Sequence, residues 1–139
     1  MEKLQNIVKE KHLENNVEFR GWINRNDLPD QISNASISIG PLKRTTVTEN
    51  ALPIKVLEYM ASSLPILAIS GTLPEDVLVH KKNGYFVKDS KELGEKICKL
   101  LECPELIESM GDESLKMVQK FSWEKVVSDI LKSYESIKN

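Results

Sequence analysis

Residues 52–69 read LPIKVLEYMASSLPILAI, and this stretch decides the fold class. Pro53 suits the first turn of a helix, where its missing N–H costs nothing, and the helix should run to about Ser62. Ile66–Ile69 is a continuous apolar run, the pattern of a strand buried on both faces, and Gly71 breaks it. A helix feeding a doubly buried strand is part of a crossover unit.

Outward from this stretch the alternation continues. Towards the amino end, Ser36–Gly40 reads as a strand, followed by a polar, threonine-rich loop over 43–50. Asp27 can cap a short helix through Ile32, with Leu28 and Ile32 facing in. Val17-Glu18-Phe19 alternates and stops at Gly21, a short strand. Residues 3–14 have a helical stripe of Leu4, Ile7, Val8 and Leu13. Towards the carboxyl end, a short helix is expected near Glu75–Val79, and Tyr85-Phe86-Val87 follows the Asn83-Gly84 turn as a strand. Ser90 caps a helix carrying Leu93, Ile97, Leu100 and Leu101, and Pro104 starts the next. Ser122 caps the last, where Trp123, Val126, Val127, Ile130, Leu131, Tyr134 and Ile137 share one face. The expectation is an α/β fold over residues 1–139: one Rossmann-like domain in three layers. It has a parallel sheet of about four strands truncated at the amino end, helices on both faces and a helical carboxyl end.

Composition narrows the function classes. A net charge of -2 gives no reason to expect a nucleic-acid partner, which would favour a strongly basic surface. The longest apolar runs fall far short of the roughly 20 residues of a membrane span. Cys98 and Cys103 form neither a metal cluster nor a disulfide framework. They read as reduced thiols, and a cytoplasmic location follows, peripheral membrane contact by a longer enzyme included.

In open parallel sheets ligands bind at the carboxyl ends of the strands, which selects three loops: Gly21–Asp27, Pro41–Pro53 and Ser70–Glu75. The middle loop enters the helix at Pro53, where Ile54 and Lys55 offer free N–H groups to phosphate. Lys43, Arg44 and Lys55 bracket it and can neutralise a diphosphate. Glu58 can accept from vicinal sugar hydroxyls, although periodicity alone makes it a solvated surface residue. His12 and His80 lack partners, and His80 reads as capping or solvating a helix end. Glu75 complements a helix dipole. Trp22 is either a stacking surface for a base or core, with core favoured because tryptophan after a strand usually packs, and Trp123 reads as structural.

Leu52–Ala61 followed by Leu64-Pro65-Ile66-Leu67-Ala68 resembles the donor-site signature of GT-B glycosyltransferases of family 4. The likeness extends to Val17–Gly21, to Gly71 and Glu75, to Asn83–Val87, and to Met110-Gly111, Phe121-Ser122-Trp123 and Tyr134. It implies a domain for a nucleoside-diphosphate sugar, the carboxyl-terminal half of a retaining glycosyltransferase. In that pattern Glu58 holds the ribose hydroxyls, and the backbone around Trp22 and Ile23 lines the base. The loop before Pro53 meets the diphosphate and sugar, and no metal or other cofactor is needed. The family has a second glutamate eight positions before Glu58. Here that position is Asn50, with Glu49 beside it, and these two are the candidates for meeting the transferred sugar. The resemblance also implies strands preceding Met1 and an acceptor domain in cis or trans, without which the chain is expected to be inactive. The competing reading is a non-catalytic scaffold that dimerises through the stripe of the last helix. A flavodoxin-like receiver would want acidic residues at the ends of the first strands, and Val17–Gly21 and Ser36–Gly40 lack them.

Overall fold

The middle strand of the sheet is Ile66–Ile69 (β2), and its alternation explains its unbroken apolar sequence. Ile66 and Ala68 join one buried cluster, with Val56, Met60, Leu73, Val77 and Leu78. Leu67 joins another, with Tyr85, Val87, Leu93, Leu100 and Met110. The computed structural model describes residues 1–46 and 51–137. Within these, β2 pairs in parallel with Ser38–Ile39 (β1) on one side and Gly84–Val87 (β3) on the other, in the order β1-β2-β3. The helices are Glu2–Glu10 (α1), Leu28–Ser33 (α2), Ile54–Ala61 (α3), Ser90–Leu101 (α4), Pro104–Val118 (α5) and Trp123–Ile137 (α6), with a 3-10 turn at Gln119–Phe121.

Helix α3 follows Pro53, which is its N-cap, and supplies Val56 and Met60 to the first cluster. It ends in a Schellman arrangement: Leu64 N–H donates to Tyr59 O (3.1 Å) and Ser63 N–H to Met60 O (3.1 Å). Ser63 takes the left-handed conformation there, at φ 55°. Helix α5 crosses at this turn, close enough that a Cβ on Gly111 would stand 2.1 Å from Ser63 O. Helix α4 is capped by Asp89, whose side chain accepts from Glu92 N–H (2.9 Å), so Ser90 is its first residue and not its cap. Ser122 does cap α6, accepting from Lys125 N–H (3.2 Å).

Four expectations are corrected. The Val17–Phe19 segment joins no ladder, so the sheet has three strands among the described residues. An alternating pattern makes a strand only where a neighbour supplies hydrogen bonds, and β1 is paired only with β2. Residues 75–79 form a single turn, not a helix, with Val77 N–H and Leu78 N–H both donating to Pro74 O. Buried Asn83 holds this crossover instead: its Nδ2 donates to Val77 O (2.9 Å) and its Oδ1 accepts from Val79 N–H (2.8 Å). The stripe of α1 is not buried: the helix ends at Glu10, and Leu4, Ile7 and Leu13 are exposed. Trp123, read as structural, is 80% exposed, as the first residue of an α6 face that no described element covers.

Candidate functional site

The loops leaving β1 and β2 are tied together. Pro41 O accepts from Ile69 N–H (3.2 Å) and from Thr72 Oγ1 (3.1 Å), and Thr72 is fully buried. Lys43 and Arg44 follow Pro41 and are exposed. Gly71, at φ 77°, turns the chain out of β2 beneath Arg44. A Cβ built on Gly71 would lie 3.4 Å from both Cζ and Nε of Arg44 and 3.6 Å from Nη1. The sequence therefore selects two loops that the fold joins at one end of the sheet.

Helix α3 is the next described element after the loop that leaves β1. Ile54 and Lys55, its first two residues, are exposed, and a helix start leaves their N–H groups without intrahelical acceptors. Glu58 lies one turn on, half-buried, with about 6 Å of helix rise between it and Ile54. It is not a solvated surface residue. It lines a pocket of about 310 Å³ with Arg25, Leu28, Pro29, Ile32 and Ser62. Arg25 belongs to the Gly21–Asp27 loop, so that loop and Glu58 share one concavity. The carboxylate of Glu58 is also felt by Tyr59, whose hydroxyl is pushed above its ordinary pKa first by burial and second by this neighbouring charge.

Trp22 overturns the core expectation. It is 95% exposed, on the rim of a depression shared with Arg20, Asn24 and Gln31. It follows an unpaired segment, so no sheet lies behind it to pack against. Ile23 is half-buried and lines both that depression and an apolar groove of about 500 Å³ with Ile37 and Tyr59. Gln31 faces both as well, and its Oε1 is buried without a hydrogen-bond partner.

Glu58 shares a pocket with Arg25 of the loop 21–27, which also carries Trp22 and Ile23; Lys43 and Arg44 follow β1, with Arg44 over Gly71 after β2, and Ile54 and Lys55 open α3. Glu49 and Asn50 lie outside the described residues. Arg25 and Gln31 were not singled out by sequence reasoning. Arg25 was within reach, since the strand-end rule had selected its loop, but nothing in local pattern separates it from Arg20. Gln31 gave no signal, because a glutamine on a short helix is ordinarily solvated. His80 does not cap a helix: its Nδ1 accepts from Phe86 N–H (3.2 Å), and its ring meets Tyr85 edge-on. Among the described residues no group of three or more His, Cys, Asp or Glu could hold a metal ion. No helix among them is long and apolar enough to cross a membrane. Both cysteines are free thiols.

The fold and site define a class: an open parallel α/β domain whose strand-end loops converge on a helix start. The chain belongs to the glycosyl transferases group 1 family, whose model matches residues 1–117. It is 27% identical over its whole length to a GDP-Man:Man(3)GlcNAc(2)-PP-Dol alpha-1,2-mannosyltransferase of Dictyostelium discoideum, covering 27% of that protein. Its fold resembles sucrose-phosphate synthase of Thermosynechococcus elongatus, with a TM-score of 0.79 at 23% identity over 98% of this chain and 34% of that one. It also resembles the Anabaena protein Alr3699/HepE solved in complex with UDP-glucose, with a TM-score of 0.79 at 19% identity over 97% of this chain and 36% of that one. The chain spans about a third or less of the length of these proteins.

Proposed function

We propose that this chain is the nucleoside-diphosphate-sugar-binding part of a glycosyltransferase that transfers a glycosyl group with retention of configuration. The observation that carries the reading is that Glu58 lines the same pocket as the Gly21–Asp27 loop. A half-buried carboxylate with two acceptor oxygens suits the vicinal hydroxyls of a ribose, and Trp22 and Ile23, in the same 21–27 loop as Arg25, are assigned to the base. About 6 Å along the helix, the amino end of α3 with Lys43, Arg44 and Lys55 faces the diphosphate and steadies the charge that develops as it leaves. That assignment requires no metal or cofactor. Asn50 and Glu49 are assigned to the transferred sugar. The complex of the Anabaena protein with UDP-glucose and the GDP-mannose named for the Dictyostelium relative support a sugar nucleotide as the ligand class.

The acceptor side of the reaction belongs to another domain, in cis or in trans, and the isolated chain is not expected to turn over a donor. The uncovered apolar face of α6 supports such a partner. It also favours the second reading, a scaffold that dimerises through that face. Titration calorimetry of the folded chain with UDP, GDP and ADP tests the first reading. Millimolar or tighter binding of one of them is expected, undiminished by a chelator, with Glu58→Gln weakening it about tenfold through the loss of a charge-assisted hydrogen bond. No binding of any of the three at millimolar concentration would refute donor recognition. A tight dimer in sedimentation, indifferent to nucleotide, would establish the scaffold in its place.

A further inference from the structure

Among the candidate cations Lys43, Arg44 and Lys55, Arg44 has a defined place against the turn after β2. The near-equal distances from a Gly71 Cβ to Cζ, Nε and Nη1 of Arg44 mean that this point lies above the guanidinium plane, so the group faces the turn that follows β2. Arg44 thus reaches from the loop after β1 to the loop after β2. The two loops are held in fixed relation by the hydrogen bonds that Ile69 and Thr72 make to Pro41. With its face over Gly71, the donors of the group lie around its edge, at the carboxyl ends of both strands. An arginine held this way loses less freedom on meeting an anion than one extended into water, and its fork matches two phosphate oxygens.

We propose that Arg44 is the principal diphosphate-binding side chain of this chain and that Gly71 is its positioning residue, an inference that rests on the donor-site reading above. Glycine suits position 71 because its backbone is left-handed and because any longer side chain there would enter the space in front of the guanidinium. A carboxylate at 71 would pair with Arg44 and take it from the ligand.

The test is titration calorimetry with UDP and GDP, each beside its nucleoside, uridine or guanosine, and with thermal melting to confirm folding. Gly71→Asp should weaken the bound diphosphate at least about tenfold and leave the nucleoside within about twofold. Gly71→Asn, of the same shape and equally tolerant of the left-handed backbone, should cost distinctly less. Arg44→Ala should reproduce the tenfold, phosphate-selective loss, while Lys43→Ala, removing a secondary cation of the same site, should cost distinctly less, about threefold. Should the aspartate variant not fold, the contrast between Arg44→Ala and Lys43→Ala decides. Equal losses for nucleotide and nucleoside, or equal losses from the two cation substitutions, overturn the proposal while leaving donor binding intact. An unaltered chain that binds neither diphosphate removes both.

Discussion

Gly84 shows how one residue can decide the sheet. At φ 153° it brings β3 against β2 so closely that a Cβ would stand 1.9 Å from Ile66 O. Neighbouring Asn83 is fully buried, accepts from Val79 N–H, and gives its own carbonyl to Ile66 N–H (3.0 Å) and to Ser114 Oγ (3.4 Å). Gly84→Ala must push the strands apart and is expected to cost at least about 3 kcal/mol. Gly94 is the opposite case: it lies inside α4, and a Cβ there would meet nothing within 4 Å. Gly94→Ala should stabilise by about 0.5–1 kcal/mol, since the substitution only removes freedom from the unfolded chain and suits a helix. Urea unfolding of the two variants checks both signs, and two losses of similar size would contradict the stated packing. The Asn-Gly pair was legible in the sequence as a turn before a strand. That its glycine is also a site of backbone approach was not legible, because the atom it would strike lies eighteen positions away, in β2.

At the scale of elements, α3 was read nearly to the residue, since Pro53 and the apolar run after Pro65 fix both ends of the unit. Its last turn carries a local conflict. Ser63 occupies the left-handed position of the Schellman motif, where glycine is preferred. Ser63→Gly should therefore raise stability, by a few tenths up to about 1 kcal/mol, seen as a higher denaturant midpoint without a change in slope. An unchanged or lower midpoint would mean that the serine side chain contributes contacts that offset its backbone cost. Two other elements show where local pattern misleads. Val17–Phe19 has the alternation of a strand, but strand formation is a property of pairs, and no neighbour accepts it among the described residues. The stretch near Glu75 has helical composition and closes one turn only. There Asn83 takes up Val77 O and Val79 N–H, the backbone groups a longer helix would need.

Over the whole molecule, burial is uneven. Among the described residues the buried ones lie between Ser38 and Ser114, and α1, α2 and α6 have none. Seven large apolar residues of α6 are between 37% and 80% exposed. Local stability follows buried contacts, so native-state hydrogen exchange should be slowest in Ile66–Ile69 and Gly84–Val87 and fast in residues 1–36 and in α6. Protection of α6 equal to that of β2 in the isolated chain would show that its face is covered in solution. In the donor-site reading the pocket between α2 and α3 is bounded on one side by this weakly anchored amino-terminal third, so ligand binding should slow exchange around Arg25 and Ile32.

The sequence by itself determined the class of fold, the position of the helix start at Pro53 and the doubly buried strand. These rest on short-range rules of backbone geometry and periodicity, which act within a few residues. Tertiary structure alone decided that Glu58 shares a pocket with Arg25. It alone decided that Arg44 lies over Gly71, that Trp22 stands exposed, and that among the described residues three strands rather than four pair. Each of these depends on which distant segment arrives beside a residue, and a hydrogen-bond ladder, a pocket wall or a covered face exists only once two remote parts of the chain have met.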